Sequence, residues 1–222
     1  MKKHGKIIVI EGLDGSGKYT QSKILSDKLK SLGKNVKMIS MPNYESESSG
    51  PVKMYLNSEI SSNPKEINPY ATSSFFAVDR FINYFCDWKM FYDDEDSVVI
   101  CDRYTTSNMI YQLAKVNRDN WDSFLNWIDD YEYKCLKIPR PDLVIYLKVP
   151  IDVSHKLIGV RSSSYDLHES NINFLRICEK AANFSSKKFD WKIINCSPDE
   201  VDILPLESIA SQVLKIVKDN IL

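Results

Sequence analysis

Residues 6–18 read KIIVIEGLDGSGK. The first part of this stretch, residues 6–11, is a short β-branched run that predicts a buried strand. Its second part, residues 12–18, has the pattern G-x-x-x-x-G-K and holds three of the chain's seven glycines. Apolar residues at helical spacing follow over residues 20–32 and predict a helix. A Gly-rich turn between a buried strand and a helix is typical of a phosphate-binding loop.

The loop residues predict a site for the phosphates of ATP. Glycines let the backbone curl so that successive N–H groups point at a phosphate, and the following helix adds its N-terminal dipole. The ammonium of Lys18 is expected to reach the β- and γ-phosphates and to stabilise charge during transfer. The residues predicted to bind the ATP phosphates are Gly12, Gly15, Ser16, Gly17, Lys18, Tyr19 and Thr20.

One position departs from this pattern. Such loops place Ser or Thr after the Lys, where the hydroxyl binds Mg²⁺. Here that position is Tyr19, and Thr20 follows one residue late. A Tyr hydroxyl lies at the far end of its ring, too far out to coordinate an ion close to the backbone. Three alternatives stay open: water and other groups hold the metal, Thr20 shifts into the site, or transfer is weakened.

The remaining sequence predicts a three-layer α/β/α fold. Short apolar runs predict five strands, at residues 6–11, 35–40, 97–101, 142–149 and 191–195. Helical patterns occupy residues 20–32, 51–56, 69–92, 107–115, 121–135, 151–160, 166–184 and 206–221. Strands that alternate with helices predict a five-stranded parallel sheet covered on both faces. Because no repeat or linker marks a boundary, residues 1–222 are expected to form a single domain.

Composition excludes several function classes. The chain has 29 basic and 30 acidic side chains and a net charge of −1, which argues against a nucleic-acid partner. No apolar run approaches the roughly 18–20 residues of a membrane span, and the start does not resemble a signal peptide. The five cysteines form no C-x-x-C pair, which argues against zinc and redox motifs. We therefore expect a cytoplasmic protein with reduced thiols and no membrane partner.

Asp102 directly follows the third predicted strand. A carboxylate that ends a buried strand beside a phosphate-binding loop is placed for Mg²⁺ or for its waters. Asp102 is therefore the predicted metal residue, acting through water, and belongs with Lys18 to the catalytic set. The alternative is that Asp102 caps a helical segment that begins after Tyr104.

Three further stretches resemble thymidylate kinases, in the order that this family has them. Residues 75–80 (FFAVDR) resemble the family's F-A-x-D-R, and residues 102–112 (DRYTTSNMIYQ) resemble its D-R-Y and S-S-x-x-Y-Q. Residues 139–147 (PRPDLVIYL) resemble the strand before the family's lid, and residues 11–18 are close to its loop. The resemblance runs over most of residues 5–184. It implies a P-loop kinase fold with a short lid at about residues 161–168.

The resemblance also implies the reaction and the acceptor site. The chain would transfer the γ-phosphoryl of ATP to dTMP with Mg²⁺, as a homodimer. Arg80 and Arg103 would clamp the acceptor phosphate, because a forked guanidinium suits a dianion. Phe76 lies one helical turn before Arg80 and would stack on the base, unless it is an ordinary core residue. Asp14 matches a family carboxylate near the acceptor's 3′-hydroxyl.

Four further assignments complete the predicted site. Tyr111 and Gln112 are candidates for the base pocket, and Tyr104 for supporting the sugar. Arg161 opens the Ser-rich loop in the lid position and would stabilise transition-state charge as a third catalytic residue. Family members without an Arg in the phosphate loop usually have a basic lid, whereas RSSSY at residues 161–165 carries one cation.

Two rival functions stay open. The first is a P-loop kinase for another nucleotide or a nucleoside, which would share Lys18 and Asp102 but prefer a different acceptor. The second is a nucleotide-binding relative with lost or weak phosphoryl transfer. Tyr19, the charge-poor lid and Tyr44, at a place where relatives often have an Arg, favour the second.

Overall fold

A computed structural model of the chain describes residues 4–61, 63, 66–154 and 171–222. Its strands are β1 (Lys6–Gly12), β2 (Asn35–Ser40), β3 (Ser97–Asp102), β4 (Leu143–Lys148) and β5 (Lys192–Asn195). They form one parallel sheet in the order β2-β3-β1-β4-β5. The five predicted strands and the parallel α/β fold are thus confirmed.

Helices cover the sheet on both faces. They are α1 (Lys18–Ser31), α2 (Gly50–Leu56), α3 (Pro69–Asn83), α4 (Lys89–Tyr92), α5 (Trp121–Asp129), α6 (Ile172–Lys188) and α7 (Leu206–Asn220). Alternate residues of β1 enter two separate apolar clusters, with Ile7 on one face of the sheet and Ile8 on the other. Because both are fully buried, each contributes about 1.5–3 kcal/mol to folding. The two clusters hold β1 and the loop after it at the centre of the molecule.

Three predicted helices contain π-helical segments. The helix predicted over residues 69–92 is α3, a π-helical segment at Tyr84–Trp88, and α4. The helix predicted over residues 121–135 is α5 followed by a π-helical segment at Asp130–Cys135. Residues 107–115 contain a third such segment, Asn108–Gln112. Segments of this kind shift the register of side chains along a helix and are frequent at functional sites.

The structure also revises a helix boundary near the predicted lid. The helix predicted over residues 166–184 is observed as α6, Ile172–Lys188. It begins there because the Asn171 side chain caps it, accepting a hydrogen bond from the backbone N–H of Phe174 at 3.0 Å. Of the helix predicted over residues 151–160, residues 151–154 are helical. Its remainder and the predicted lid, including Arg161, lie outside the described residues.

Two global features concern the expected environment of the chain. No helix among the described residues has both the length and the apolar character needed to span a bilayer. The five cysteines are free thiols, of which Cys101, Cys178 and Cys196 are buried.

Candidate active site

The loop between β1 and α1 has the conformation that its glycines permit. Gly15 and Gly17 have φ angles of 79° and 81°, in the left-handed region where a side chain would be strained. A Cβ atom on Gly12 would lie 2.8 Å from the carbonyl oxygen of Leu147, so only glycine allows the loop to pack this closely on β4. The predicted Gly-rich turn between a buried strand and a helix is confirmed.

Lys18 is folded over this loop. Its Nζ donates to the carbonyl oxygen of Leu13 at 2.9 Å and lies 3.7 Å from Asp14 Oδ1. Burial lowers the pKa of Lys18, and the charge of Arg103 acts in the same direction. Asp14 opposes this shift and, together with more distant carboxylates, keeps anionic charge around the ammonium.

Tyr19 does not bring its hydroxyl to the loop. Its side chain is 59% exposed and extends into solvent from the first turn of α1. The neighbouring Ser16 has a buried Oγ with no hydrogen-bond partner in the described part of the chain. The Tyr19 side chain therefore does not contribute to the loop. The phosphate contact predicted at this position is left to main-chain groups.

Asp102 ends β3 next to β1, where it pairs in register with Ile10. Its Oδ2 accepts a hydrogen bond from Ser40 Oγ at 2.8 Å, and its buried Oδ1 has no partner among the described residues. Asp102 does not cap the helical segment at Thr105–Ser107, whose N-cap position is Tyr104. The free carboxylate oxygen is therefore available to a ligand at the carboxyl end of the sheet.

The Asp102 carboxylate fits a Mg²⁺ ion whose other ligands are waters and nucleotide phosphates. The described residues contain no cluster of three or more His, Cys, Asp or Glu side chains that could enclose a metal. Mg²⁺ usually retains waters and binds one or two carboxylates together with the phosphates of a nucleotide. A single carboxylate oxygen on Asp102, beside a loop that binds phosphates, matches that mode of binding.

A cavity opens beside the loop and is lined by all seven residues predicted to bind the acceptor. They are Asp14, Phe76, Arg80, Arg103, Tyr104, Tyr111 and Gln112. The cavity encloses about 550 Å³ of empty space, counting the solvent at its open mouth. Residues from the loop, α3 and the segment after β3 therefore converge on one place, although they are far apart in the chain.

Arg103 and Tyr111 hold the carboxylate of Asp14 between them. Arg103 Nη2 donates to Asp14 Oδ1, and the Tyr111 hydroxyl donates to Oδ2 at 2.8 Å. Burial alone would raise the pKa of Asp14, but the charges of Arg103 and Lys18 and the Tyr111 hydrogen bond together lower it. The carboxylate is therefore ionised at neutral pH.

Arg80 is paired with a carboxylate that sequence analysis did not select. Its Nε donates to Glu132 Oε2 at 2.8 Å, and its Nη2 donates to Glu132 Oε1. A third bond runs from Nη1 to the carbonyl oxygen of Tyr104 at 3.3 Å. Both arginines predicted to clamp the acceptor phosphate thus have a carboxylate partner within the protein.

Comparisons with known proteins identify the family of the chain. A model of the family described as thymidylate kinase matches residues 10–204. The chain belongs to the thymidylate kinase family. It is 27% identical to a probable thymidylate kinase 1 of Saccharolobus solfataricus, over 97% of this chain and 98% of that protein. It is 32% identical to the thymidylate kinase of Mycobacterium tuberculosis, over 70% of each chain.

A solved structure supports the fold. The thymidylate kinase of Candida albicans superposes with a TM-score of 0.72 and 23% identity, covering 98% of this chain and 92% of that one. At this identity the likeness concerns the arrangement of strands and helices. Together with the five-stranded parallel sheet, it places the chain among P-loop kinase folds of the α/β class.

In this thymidylate kinase family member, three of the predicted acceptor residues differ in the burial and hydrogen bonding of their side chains. They are Phe76, Gln112 and Tyr104. Phe76 is half-buried, lines the cavity and meets Tyr55 edge-on with ring centroids 6.3 Å apart. Gln112 is buried, and its Oε1 has no hydrogen-bond partner among the described residues. The Tyr104 hydroxyl donates to the carbonyl oxygen of Pro139 at 2.9 Å, so it faces the protein interior.

The cavity is also lined by residues that sequence analysis did not assign to acceptor binding. They are Met41, Pro42, Tyr44, Leu56, Ser107 and Asn108. Glu11, fully buried at the end of β1, accepts hydrogen bonds from Thr106 Oγ1 at 2.6 Å and Ser107 Oγ at 2.8 Å. Glu11 could have been selected from the sequence, because it is a carboxylate inside an apolar strand that leads into the predicted phosphate loop. A buried charge of this kind requires polar partners.

Proposed function

We propose that the chain binds dTMP in the cavity beside the phosphate-binding loop and transfers to it the γ-phosphoryl of ATP. As a member of the thymidylate kinase family it is an ATP-dependent kinase, and the product is dTDP. One observation carries the assignment of the acceptor site: the seven residues selected from sequence line a single cavity that includes Asp14 of the loop.

The chemistry needs positioning and charge stabilisation rather than a covalent intermediate. Lys18 binds the β- and γ-phosphates and stabilises the charge that develops on the transferring group. Asp102, whose Oδ1 has no partner among the described residues, would hold Mg²⁺ through its waters. The bound ion would supply positive charge against the phosphates of ATP. Arg161, from a lid at about residues 161–168 of this single-domain protein, adds the remaining positive charge.

The acceptor lies with its phosphate toward the loop. Arg103 reaches the loop through its bond to Asp14, and it orients the acceptor phosphate for attack. Arg80 assists from the cavity wall, while Phe76 stacks on the base and Asp14 lies near the 3′-hydroxyl. Tyr104, Tyr111 and Gln112 complete the walls around sugar and base.

The partner of this protein is a second copy of the same chain. Val78, Phe81 and Ile82 of α3 and Phe85 of the π-helical segment that follows it form an exposed apolar stripe, with Phe85 62% accessible. An apolar stripe on one helix can meet its own copy across a two-fold axis, where the same surface serves both subunits. We assign the dimer to the cytoplasm, in keeping with five free thiols.

A second candidate is a nucleotide-binding relative with weak transfer. The exposed side chain of Tyr19 favours it, because the hydroxyl that usually binds Mg²⁺ is missing from the loop. A kinase for another nucleotide or a nucleoside would use the same Lys18 and Asp102. These candidates differ from the proposed function in which acceptor is phosphorylated, and in whether any is.

The test is ADP release from MgATP with a panel of nucleoside monophosphates and nucleosides. Lys18→Ala is the blank, and Lys23→Ala, on the exposed side of α1, is the matched control. Selective turnover of dTMP at about 1–100 s⁻¹ would support the proposal. Binding of dTMP without turnover would support the second candidate, and preference for another acceptor would overturn the assignment of dTMP.

A further inference from the structure

We propose that Glu132 is a positioning residue of the acceptor site, acting on the cavity through Arg80 and Asn108. The inference rests on the proposed function and names a residue outside all of the sequence motifs. Glu132 does not line the cavity, whereas Arg80 and Asn108 both do. It lies in the π-helical segment Asp130–Cys135 that follows α5.

The contacts of Glu132 leave the two cavity residues little freedom. Its side chain is 1% exposed, and its two oxygens receive Nε and Nη2 of Arg80 in a fork-to-fork pair. The same Oε1 accepts a hydrogen bond from Asn108 Nδ2 at 3.0 Å. One buried carboxylate thus fixes the plane of a guanidinium from α3 and the orientation of an amide from the segment after β3.

The orientation of Asn108 has a chemical consequence. Its Nδ2 also donates to the carbonyl oxygen of Ser73 at 3.1 Å, so both N–H groups of the amide are occupied. No described residue donates to Asn108 Oδ1, and that oxygen is the polar atom that the amide has left for a ligand. The site is therefore set to accept a hydrogen bond from the acceptor at this position.

The charge of Arg80 is already paired with Glu132, so Arg80 offers a ligand only its remaining N–H donors. Of its five N–H groups, three are used by Glu132 and the Tyr104 carbonyl oxygen, and about two remain. Burial lowers the pKa of Arg80, but the charge of Glu132 outweighs this effect and raises it. Arg80 therefore remains charged, and removing the Glu132 carboxylate would leave a buried, uncompensated guanidinium.

The test compares Glu132→Gln with Asp129→Asn. Both variants remove a carboxylate that holds an arginine in two hydrogen bonds, but the Asp129–Arg140 pair lies at the surface and away from the cavity. We measure kcat, the KM values for dTMP and ATP, and the relative kcat/KM for dTMP and dCMP. Cytosine lacks the N3–H donor of thymine, so this ratio reports on the orientation of the Asn108 amide.

For Glu132→Gln we expect the KM for dTMP to rise at least about tenfold, with kcat and the KM for ATP changed by less than about threefold. The preference for dTMP over dCMP should fall by about tenfold, since a Gln side chain can donate as well as accept and no longer dictates the Asn108 orientation. Asp129→Asn should match the wild type. Equal behaviour of the two variants, or a loss confined to kcat or ATP binding, would overturn the proposal.

Loss of the buried charge partner can unfold Glu132→Gln. Glu132→Asp keeps the charge but shortens the side chain by one methylene, and calorimetric binding of dTMP and ADP to that variant replaces the kinetics. Weaker binding of dTMP with unchanged binding of ADP supports the positioning role, and unchanged binding of both refutes it. A wild-type protein that neither binds nor phosphorylates dTMP refutes the proposed function and this inference together, whereas an active wild type with indifferent Glu132 variants refutes only the inference.

Discussion

Arg103 donates a hydrogen bond to Asp14, and this contact joins the end of β3 to the middle of the phosphate-binding loop. Arg103 reaches it from a backbone with a φ angle of 65°, directly after the buried strand. Asp14 Oδ1 also lies 3.7 Å from Lys18 Nζ, and Oδ2 accepts from Tyr111 in the acceptor cavity. One carboxylate therefore contacts both the lysine of the loop and two residues that line the cavity.

This arrangement predicts a specific defect for Arg103→Lys. A Lys ammonium is a point charge and cannot bond Asp14 while also presenting a fork to a phosphate dianion. We expect the KM for dTMP to rise by about 10- to 100-fold while the KM for ATP changes little. Steady-state kinetics with each substrate varied in turn will check this. Arg140→Lys is the control, because Arg140 forms a similar two-bond pair with Asp129 at the surface.

The exposed position of Tyr19 leads to a prediction about metal dependence. Tyr19→Thr would place a short hydroxyl in the first turn of α1, beside Lys18, where such loops bind Mg²⁺. We expect the Mg²⁺ concentration for half-maximal rate to fall. Tyr19→Phe is the control and should behave as wild type, since the native hydroxyl extends into solvent. An unchanged Mg²⁺ dependence in Tyr19→Thr would mean that the metal does not approach this position.

The loop and the cavity residues could be predicted because each belongs to a local pattern. Gly12 to Lys18 are contiguous, and Phe76 and Arg80 are one helical turn apart. Glu132 could not be predicted in this way, since its partner Arg80 is 52 positions away and no periodicity marks a π-helical segment. The partner of a buried arginine depends on how helices pack, which a linear pattern does not contain.

The Tyr104 hydroxyl illustrates a second limit. Its position in the motif suggested a contact with the sugar, yet the hydroxyl donates to the Pro139 carbonyl oxygen, 35 positions away. A sequence motif identifies which residue lies at a site, whereas the direction of its polar end depends on the partners that packing provides. The Phe76 ring shows the opposite case, because its half-buried position follows from its place on the amphipathic α3.

The apolar stripe on α3 predicts the effect of a charge on assembly. Phe85→Glu would put a carboxylate into the proposed two-fold interface, next to Phe81, which stacks on Phe85 with ring centroids 6.1 Å apart. We expect wild type to elute as a dimer and this variant as a monomer in size-exclusion chromatography with light scattering. Val201→Glu is the control, because Val201 is an exposed apolar residue of the segment between β5 and α7. A wild-type monomer would refute the assignment of the dimer.

The last prediction concerns Lys115, which is held against an aromatic ring rather than a carboxylate. Its Nζ donates to the Tyr55 hydroxyl and lies 4.5 Å from the centroid of that ring. No ion pair joins Lys115 to any carboxylate of the described residues. Burial lowers its pKa to about 8, although Cys178 opposes the shift. The folded state therefore loses this proton at a lower pH than the unfolded state, whose lysine titrates near 10.5.

The sign of the pH dependence follows from these two values. Between about pH 8 and 10.5 the unfolded chain binds more protons at this site, so its contribution makes the folded state more stable as the pH rises, by at most about 1.4 kcal/mol per unit. Below pH 8 both states are protonated, and the buried charge has its full destabilising effect. The check is the unfolding free energy of wild type and of Lys115→Met, measured with urea at pH 7, 8, 9 and 10. Above pH 8, wild type should gain stability relative to Lys115→Met. The exposed Lys23→Met should run parallel to wild type, and parallel curves for Lys115→Met as well would show that the Lys115 ammonium is solvated in the folded protein.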